Sequence, residues 1–209
     1  MLGILWKDLK ELKASILILI GILVAVTVIA VLNLERLDHF FVLFNGISAE
    51  FPFFFTLMPW LAWMLEQQEE TNSWLMTLPC SRKQLIFEKY LLLLIFGLGT
   101  AVVIGMVTML LTGKGAFFIL AMQSGILGIC FQCLLMPLNY KIGSLKVKLF
   151  HVLFYGLASG VIGYLSGSDS VWLTTQHLFV TLWICMIACL VLLPVSMRFA
   201  VQWMTEKEY

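Results

Sequence analysis

Five stretches of this chain, residues 16–34, 90–112, 116–140, 149–168 and 171–197, run for membrane length without a charged side chain. A helix that crosses a bilayer needs about 20 apolar residues at about 1.5 Å rise each, so each stretch is long enough to span. A sixth apolar block lies between Asp38 and Glu66, interrupted by charge only at Glu50 and continuing FPFFFTLMPWLAWML beyond it. Strands of a membrane barrel alternate apolar and polar residues, whereas these runs are apolar on all sides. The expected fold class is therefore all-α, a polytopic membrane protein of six transmembrane helices.

Charge excludes the other broad classes. Only 12% of the 209 residues are Asp, Glu, Lys or Arg, about half of what a soluble surface requires. The net charge of +1 supplies no basic field, so no nucleic-acid partner is expected and the lipid bilayer is the first partner.

An even number of crossings puts both termini on one face. Lys7, Lys10, Lys13, Arg82, Lys83, Lys89, Lys141, Lys146, Lys148, Arg198 and Lys207 fall on that face, and only Arg36 and Lys114 on the other. A split of eleven against two assigns the basic face to the cytoplasm. The chain then reads as one membrane domain: 1–15 interfacial helix, 16–65 spans 1 and 2, 66–89 a cytoplasmic connection, 90–197 spans 3 to 6, and 198–209 a cytoplasmic tail.

The amino-terminal segment has basic residues before an apolar stretch, as a secretory signal does. Its apolar part is of full membrane length with no small-residue cleavage site before Glu35, so it is expected to stay as a span. Ahead of it, Leu2, Leu5, Trp6, Leu9 and Leu12 recur at helical spacing opposite Lys7, Asp8, Lys10, Glu11 and Lys13. That pattern describes a helix lying in the cytoplasmic interface.

The five cysteines make no disulfide framework, because Cys130, Cys133, Cys185 and Cys189 all lie inside spans. Packing explains Cys130-x-x-Cys133 better than redox chemistry does, since redox motifs of this type open a helix in a βαβ unit. His177, Cys185 and Cys189 share one face of the last span, but three soft ligands with no fourth do not define a metal site, and none is expected.

Polar residues within the spans are the next candidates. Glu50, two positions before Pro52, is an intramembrane carboxylate that either contacts a cationic substrate or snorkels to the outer interface. His151 and His177 each lie near a span end, where solvation at headgroup depth outweighs a proton-relay role. Phe53 and Phe54, with Phe51 and Phe55, either line an apolar conduit or pack as core. Gly97, Ala101 and Gly105 on the third span, and Gly156 with Gly160 on the fifth, permit close helix approach within or between chains.

The connection EQQEETNSWLMTLPCSRKQLIFEK, residues 66–89, is too ordered in pattern for an idle loop. Thr71, Asn72 or Ser73 can cap a short helix bearing Trp74, Leu75 and Leu78, which Pro79 stops. Ser81 with Gln84 three residues on forms a capping box that launches a second helix through Arg82 and Lys83. Trp74, Leu75 and Leu78 then form an apolar knob beside Glu69, Glu70, Arg82 and Lys83, suited to the bilayer surface or to another protein.

This segment resembles the link between the second and third spans of small bacterial ABC-2-type permeases. Their pattern of acidic residue, apolar helix, L-P-x-S-R, apolar pair and K-Y is matched by Glu69 or Glu70, Trp74 and Leu75, Leu78-Pro79-Cys80-Ser81-Arg82, Leu85-Ile86 and Lys89-Tyr90. Cys80 stands where the family usually has a small aliphatic residue. Members of similar size resemble the permease half of exporters for amphipathic peptides, including phenol-soluble modulin exporters. The resemblance implies a bacterial inner-membrane subunit in which Thr71 to Pro79 is a coupling helix seated in an ABC ATPase, paired with a second permease subunit. This chain has no G-x-x-x-x-G-K-[ST] loop, so it is not expected to be an enzyme or to bind a cofactor, and ATP and Mg would sit on the ATPase partner. A rhomboid-type intramembrane serine protease built on Ser159 and His177 fits less well, because Leu157 stands in place of the first glycine of G-x-S-G. A non-transporting membrane accessory or immunity protein is the third class.

Overall fold

One proline, Pro59, goes with a break in the bundle's helices, while Pro52, Pro137 and Pro194 lie inside continuous ones. The computed structural model describes residues 37–68, 81–142, 144–167 and 175–206, with residues 10, 12, 13, 16, 17, 20, 21, 24 and 28. The ordered elements among them are α1 (Leu37–Phe55), α2 (Met58–Gln68), α3 (Arg82–Thr112), α4 (Ala116–Ile142), α5 (Ser144–Gly167) and α6 (Thr175–Glu206). All are helical, and no strand occurs among the described residues.

Three stretches in these helices are long and apolar enough to cross a membrane: Lys83–Thr112, Ala116–Ile142 and Leu178–Glu206. At 31 residues α3 is about 46 Å long, well beyond the roughly 30 Å hydrocarbon core. Its first turn, with Lys83 exposed, therefore has length to spare for the headgroup region. Large apolar side chains point outward along these helices, among them Leu110, Leu157 and Leu190. An outward Leu is favourable where the surrounding solvent is lipid tails.

The apolar block between Asp38 and Glu66 is not one continuous helix. It is α1, a two-residue turn at Thr56 and Leu57, and α2. Pro59 accounts for this: it has no N–H to give to the Phe55 carbonyl, and its ring would collide with that carbonyl in an unbroken helix. The chain tightens instead through Thr56 N–H donating to Phe53 O at 3.2 Å and Leu57 N–H donating to Phe54 O at 3.0 Å. Pro59 then lies in the first turn of α2, where a missing donor costs nothing.

Both ends of α3 are set by its own sequence. Ser81 is extended at φ −70°, ψ 146°, and the Ser81–Gln84 capping box expected from the sequence is present. Gln84 N–H donates to Ser81 Oγ at 3.4 Å, and Ser81 N–H donates to Gln84 Oε1 at 2.9 Å. At the other end Gly113 adopts φ +70°, a left-handed conformation suited to glycine, and donates its N–H to Met109 O at 2.8 Å. The chain turns at once into α4.

Helix α4 packs against α1, α3, α5 and α6 and is the centre of the bundle. Its approach to α3 depends on the small residues of the third-span stripe. A Cβ on Gly125 would lie 2.6 Å from Gly97 O and 2.8 Å from Ala101 Cβ, and one on Gly105 would lie 2.9 Å from Phe118. The Gly97–Ala101–Gly105 stripe is thus used within the chain, whereas Gly156 and Gly160 have nothing within 4 Å.

Pro137 inside α4 leaves the Cys133 carbonyl without its usual donor. Ser196 on α6 donates its hydroxyl to that carbonyl and also hydrogen-bonds the Tyr90 hydroxyl of α3. One serine so ties three helices together. Around it Ile86, Leu93, Ile129, Met136 and Ala200 form a buried apolar cluster.

Gly125→Ala is expected to destabilise the bundle by about 1–3 kcal/mol through overpacking against a backbone carbonyl. Gly156→Ala, with open space at its Cβ, should leave thermal unfolding in detergent unchanged or raised. Equal melting temperatures for the Gly125 variant and the parent would contradict this packing.

Candidate functional site

The break between α1 and α2 exposes backbone polar groups inside an apolar bundle, and side chains from three helices converge on it. Thr56 Oγ1 donates to Phe53 O at 2.6 Å. The same oxygen lies 2.8 Å from the Tyr155 hydroxyl of α5, and Gln132 Nε2 of α4 donates to that hydroxyl at 3.0 Å. Phe53 O can only accept, so the donors run in one direction: Gln132 to Tyr155 to Thr56 to the carbonyl.

His151 extends the network. It is 1% exposed, with Nδ1 3.1 Å from the Val147 carbonyl and Nε2 3.4 Å from Gln132 Oε1. Both partners are oxygens that can only accept, so a neutral ring, with one N–H, donates to one of them at a time. Its ring stacks on Trp60 of α2 at 4.3 Å and 11° and lies nearly parallel to Tyr155, 6.4 Å away. The expectation of a headgroup-solvated His151 is therefore corrected. Helical phase, which sequence position near a span end does not convey, turns its side chain into the bundle between α2 and α4.

A glycine makes this convergence possible. A Cβ on Gly128 would sit 2.6 Å from Thr56 Oγ1 and 3.2 Å from Phe53 O, so α4 approaches the break as closely as backbone allows. Phe53 is fully packed here, 4.7 Å from the Tyr155 ring and 5.7 Å from Phe131. Phe54 is half-buried and tilted against Tyr155 at 6.4 Å. Glu50, also half-buried, lies in α1 between Ala49, whose carbonyl accepts from Ser124 Oγ, and Phe51.

The connection between α2 and α3, residues 66–89, is described at its two ends. Ser81 caps α3, Arg82 opens it and Lys83 is exposed. Glu69, Glu70, Thr71, Trp74, Leu75, Leu78 and Pro79 lie outside the described residues, as does most of the amino-terminal segment. Leu12 is described, and it is buried against Phe55, Met58, Ala62, Leu92 and Phe96, so it covers the break. His177 falls in the first turn of α6, and its side chain, like that of Ser159, is outside the described residues.

Cys130 and Cys133 of α4 face α6. Cys130 Sγ donates to Cys185 O at 3.9 Å, and Cys133 is buried beside Cys189. All four thiols are free. Among the described residues, no group of three or more His, Cys, Asp or Glu side chains is placed to hold a metal ion.

The sequence analysis did not single out Thr56, Gln132 or Tyr155. The available signal for Gln132 was its place, with Gln123 and Asn139, among the amides of a largely apolar run, since amides inside a span need partners from neighbouring helices.

These features define a polytopic helical membrane protein whose second apolar block is jointed and whose joint is secured by neighbouring helices. A profile of the ABC-2 family transporter protein matches residues 3–205, so the chain belongs to that family. It is a membrane component of an ABC transporter, a class that works with an ABC ATPase. No curated protein and no solved structure matches significantly.

Tyr155→Phe and Thr56→Val should each lower thermal stability by about 1 kcal/mol, the range of interhelical hydrogen bonds in membranes. The double variant should lose less than the sum, because both substitutions remove the same bond. Strictly additive losses would show that the two hydroxyls do not interact.

Proposed function

We propose that this chain is the permease subunit of an ATP-driven bacterial exporter. It crosses the inner membrane six times with both termini in the cytoplasm, works beside a second permease subunit, and moves an amphipathic or hydrophobic cargo such as a peptide. Residues 71–79 act as the coupling helix, with Trp74, Leu75 and Leu78 seated in the ATPase and Glu69, Glu70, Arg82 and Lys83 around them. ATP and Mg are held by that ATPase.

The observation that carries this reading is the capped start of α3. Because Ser81 fixes the chain direction at the end of the connection, a push on residues 71–79 moves α3 as a rigid rod instead of unwinding it. On the other side the connection follows α2, and α2 packs on α3 through Met58, Ala62, Leu92 and Phe96. The two helices flanking the coupling segment therefore form one body. The turn at Thr56 and Leu57 separates that body from α1, so motion driven by closure of the ATPase is taken up there and converts inward-open to outward-open packing. Glu50, Phe53, Phe54 and His177 belong to spans along which cargo would pass.

Trp74→Ala and Leu78→Asp should sharply reduce ATPase recovered with the affinity-purified permease while leaving its melting temperature unchanged. Full ATPase recovery with both variants would remove the coupling assignment. Glu50→Gln should alter export with assembly intact, and wild-type export by that variant would take Glu50 off the cargo path.

A further inference from the structure

Beside the joint lies a small cavity of about 10 Å³ lined by Pro59, Trp60, Lys89, Met136, Asn139 and Tyr140. Two of its lining residues carry a buried polar atom with no partner. Trp60, 6% exposed, has its Nε1 donor unmatched, and Asn139, 4% exposed, has its Oδ1 acceptor unmatched. Orphaned groups of this sort are uncommon in folded proteins and are most often met by ordered water.

We propose that this cavity is a binding site for one water molecule that bridges α2 to α4, accepting from Trp60 Nε1–H and donating to Asn139 Oδ1. Size and polarity both select water. The volume matches the roughly 10–15 Å³ that one water requires. An anion would accept from the indole but be repelled by the amide oxygen, and a metal cation would do the reverse. Only a species that both donates and accepts satisfies the two groups together. Lys89 and Tyr140 bring further polar side chains to the same wall, so the site has the several polar partners that a retained water needs.

The site uses the indole twice. Its face stacks on His151 and the residue also lines the cavity, so on this proposal Trp60 is held by α5 on one side and, through the water, by α4 on the other. The joint is thereby pinned just past its turn.

The test uses the full chain in nanodiscs with 15N-labelled tryptophan. The Trp60 indole signal is identified by its loss in Trp60→Phe or, if that variant does not fold, by elimination through single replacement of the other six of the seven tryptophans. The wild-type Nε1 proton should show a through-space cross-peak to water and slow exchange with bulk solvent. In Asn139→Leu, which fills similar volume without an acceptor, that cross-peak should disappear and the melting temperature should fall. No cross-peak in the wild type, or a cross-peak undiminished in Asn139→Leu, would overturn the proposal.

Discussion

A backbone carbonyl that loses its helical donor in a lipid-immersed bundle has no water to turn to. Pro52, Pro137 and Pro194 lie inside helices and Pro59 at a break, and near two of them side chains from neighbouring helices reach backbone carbonyls. Pro59 interrupts the second apolar block, and beside the break Thr56, backed by Tyr155 and Gln132, donates its hydroxyl to the Phe53 carbonyl, which also accepts the Thr56 N–H. Pro137 frees the Cys133 carbonyl, and Ser196, backed by Tyr90, serves that one. In both cases the rescuing hydroxyl recruits a tyrosine from another helix. Interhelical specificity in this chain thus rests on a few hydrogen bonds set into apolar packing that would tolerate several arrangements.

Both bonded sites engage α4, through Gln132 and through the Cys133 carbonyl, and give it the role of a frame. Small residues bring the neighbours close, with Gly125 against α3 and Gly128 against the break. Movement of α2 and α3 relative to this frame is limited by the sites that hold them to it. In the transport cycle proposed above, α2 and α3 would receive the force, α4 would resist it, and the short non-helical turn between α1 and α2 would absorb the difference.

Much of this plan was legible in the residues. Charge-free runs located the long helices because length and apolarity are local properties, and Ser81 with Gln84 fixed the start of α3 because a capping box is complete within four residues. The family resemblance carried by residues 69–90 agrees with the match over residues 3–205. Less legible was whatever depended on helical phase or on distant partners. In sequence one span runs across Pro59, whereas the chain turns at Thr56 and Leu57, just after the Phe55 carbonyl that the proline ring would otherwise strike. His151 looked interfacial from its position along the chain, yet it faces Trp60. Thr56 and Tyr155 lie 99 positions apart, so no window of sequence shows that they meet.

The left-handed glycine at the end of α3 has a consequence for how α3 and α4 lie in the bilayer. Gly113 reverses the chain so abruptly that α4 begins three residues later, and the pair meets through facing glycines along its length. Neither helix has slack to enter the bilayer far from the other. Residues 113–115 alone join them, so the two helices can lie in the bilayer only as immediate neighbours.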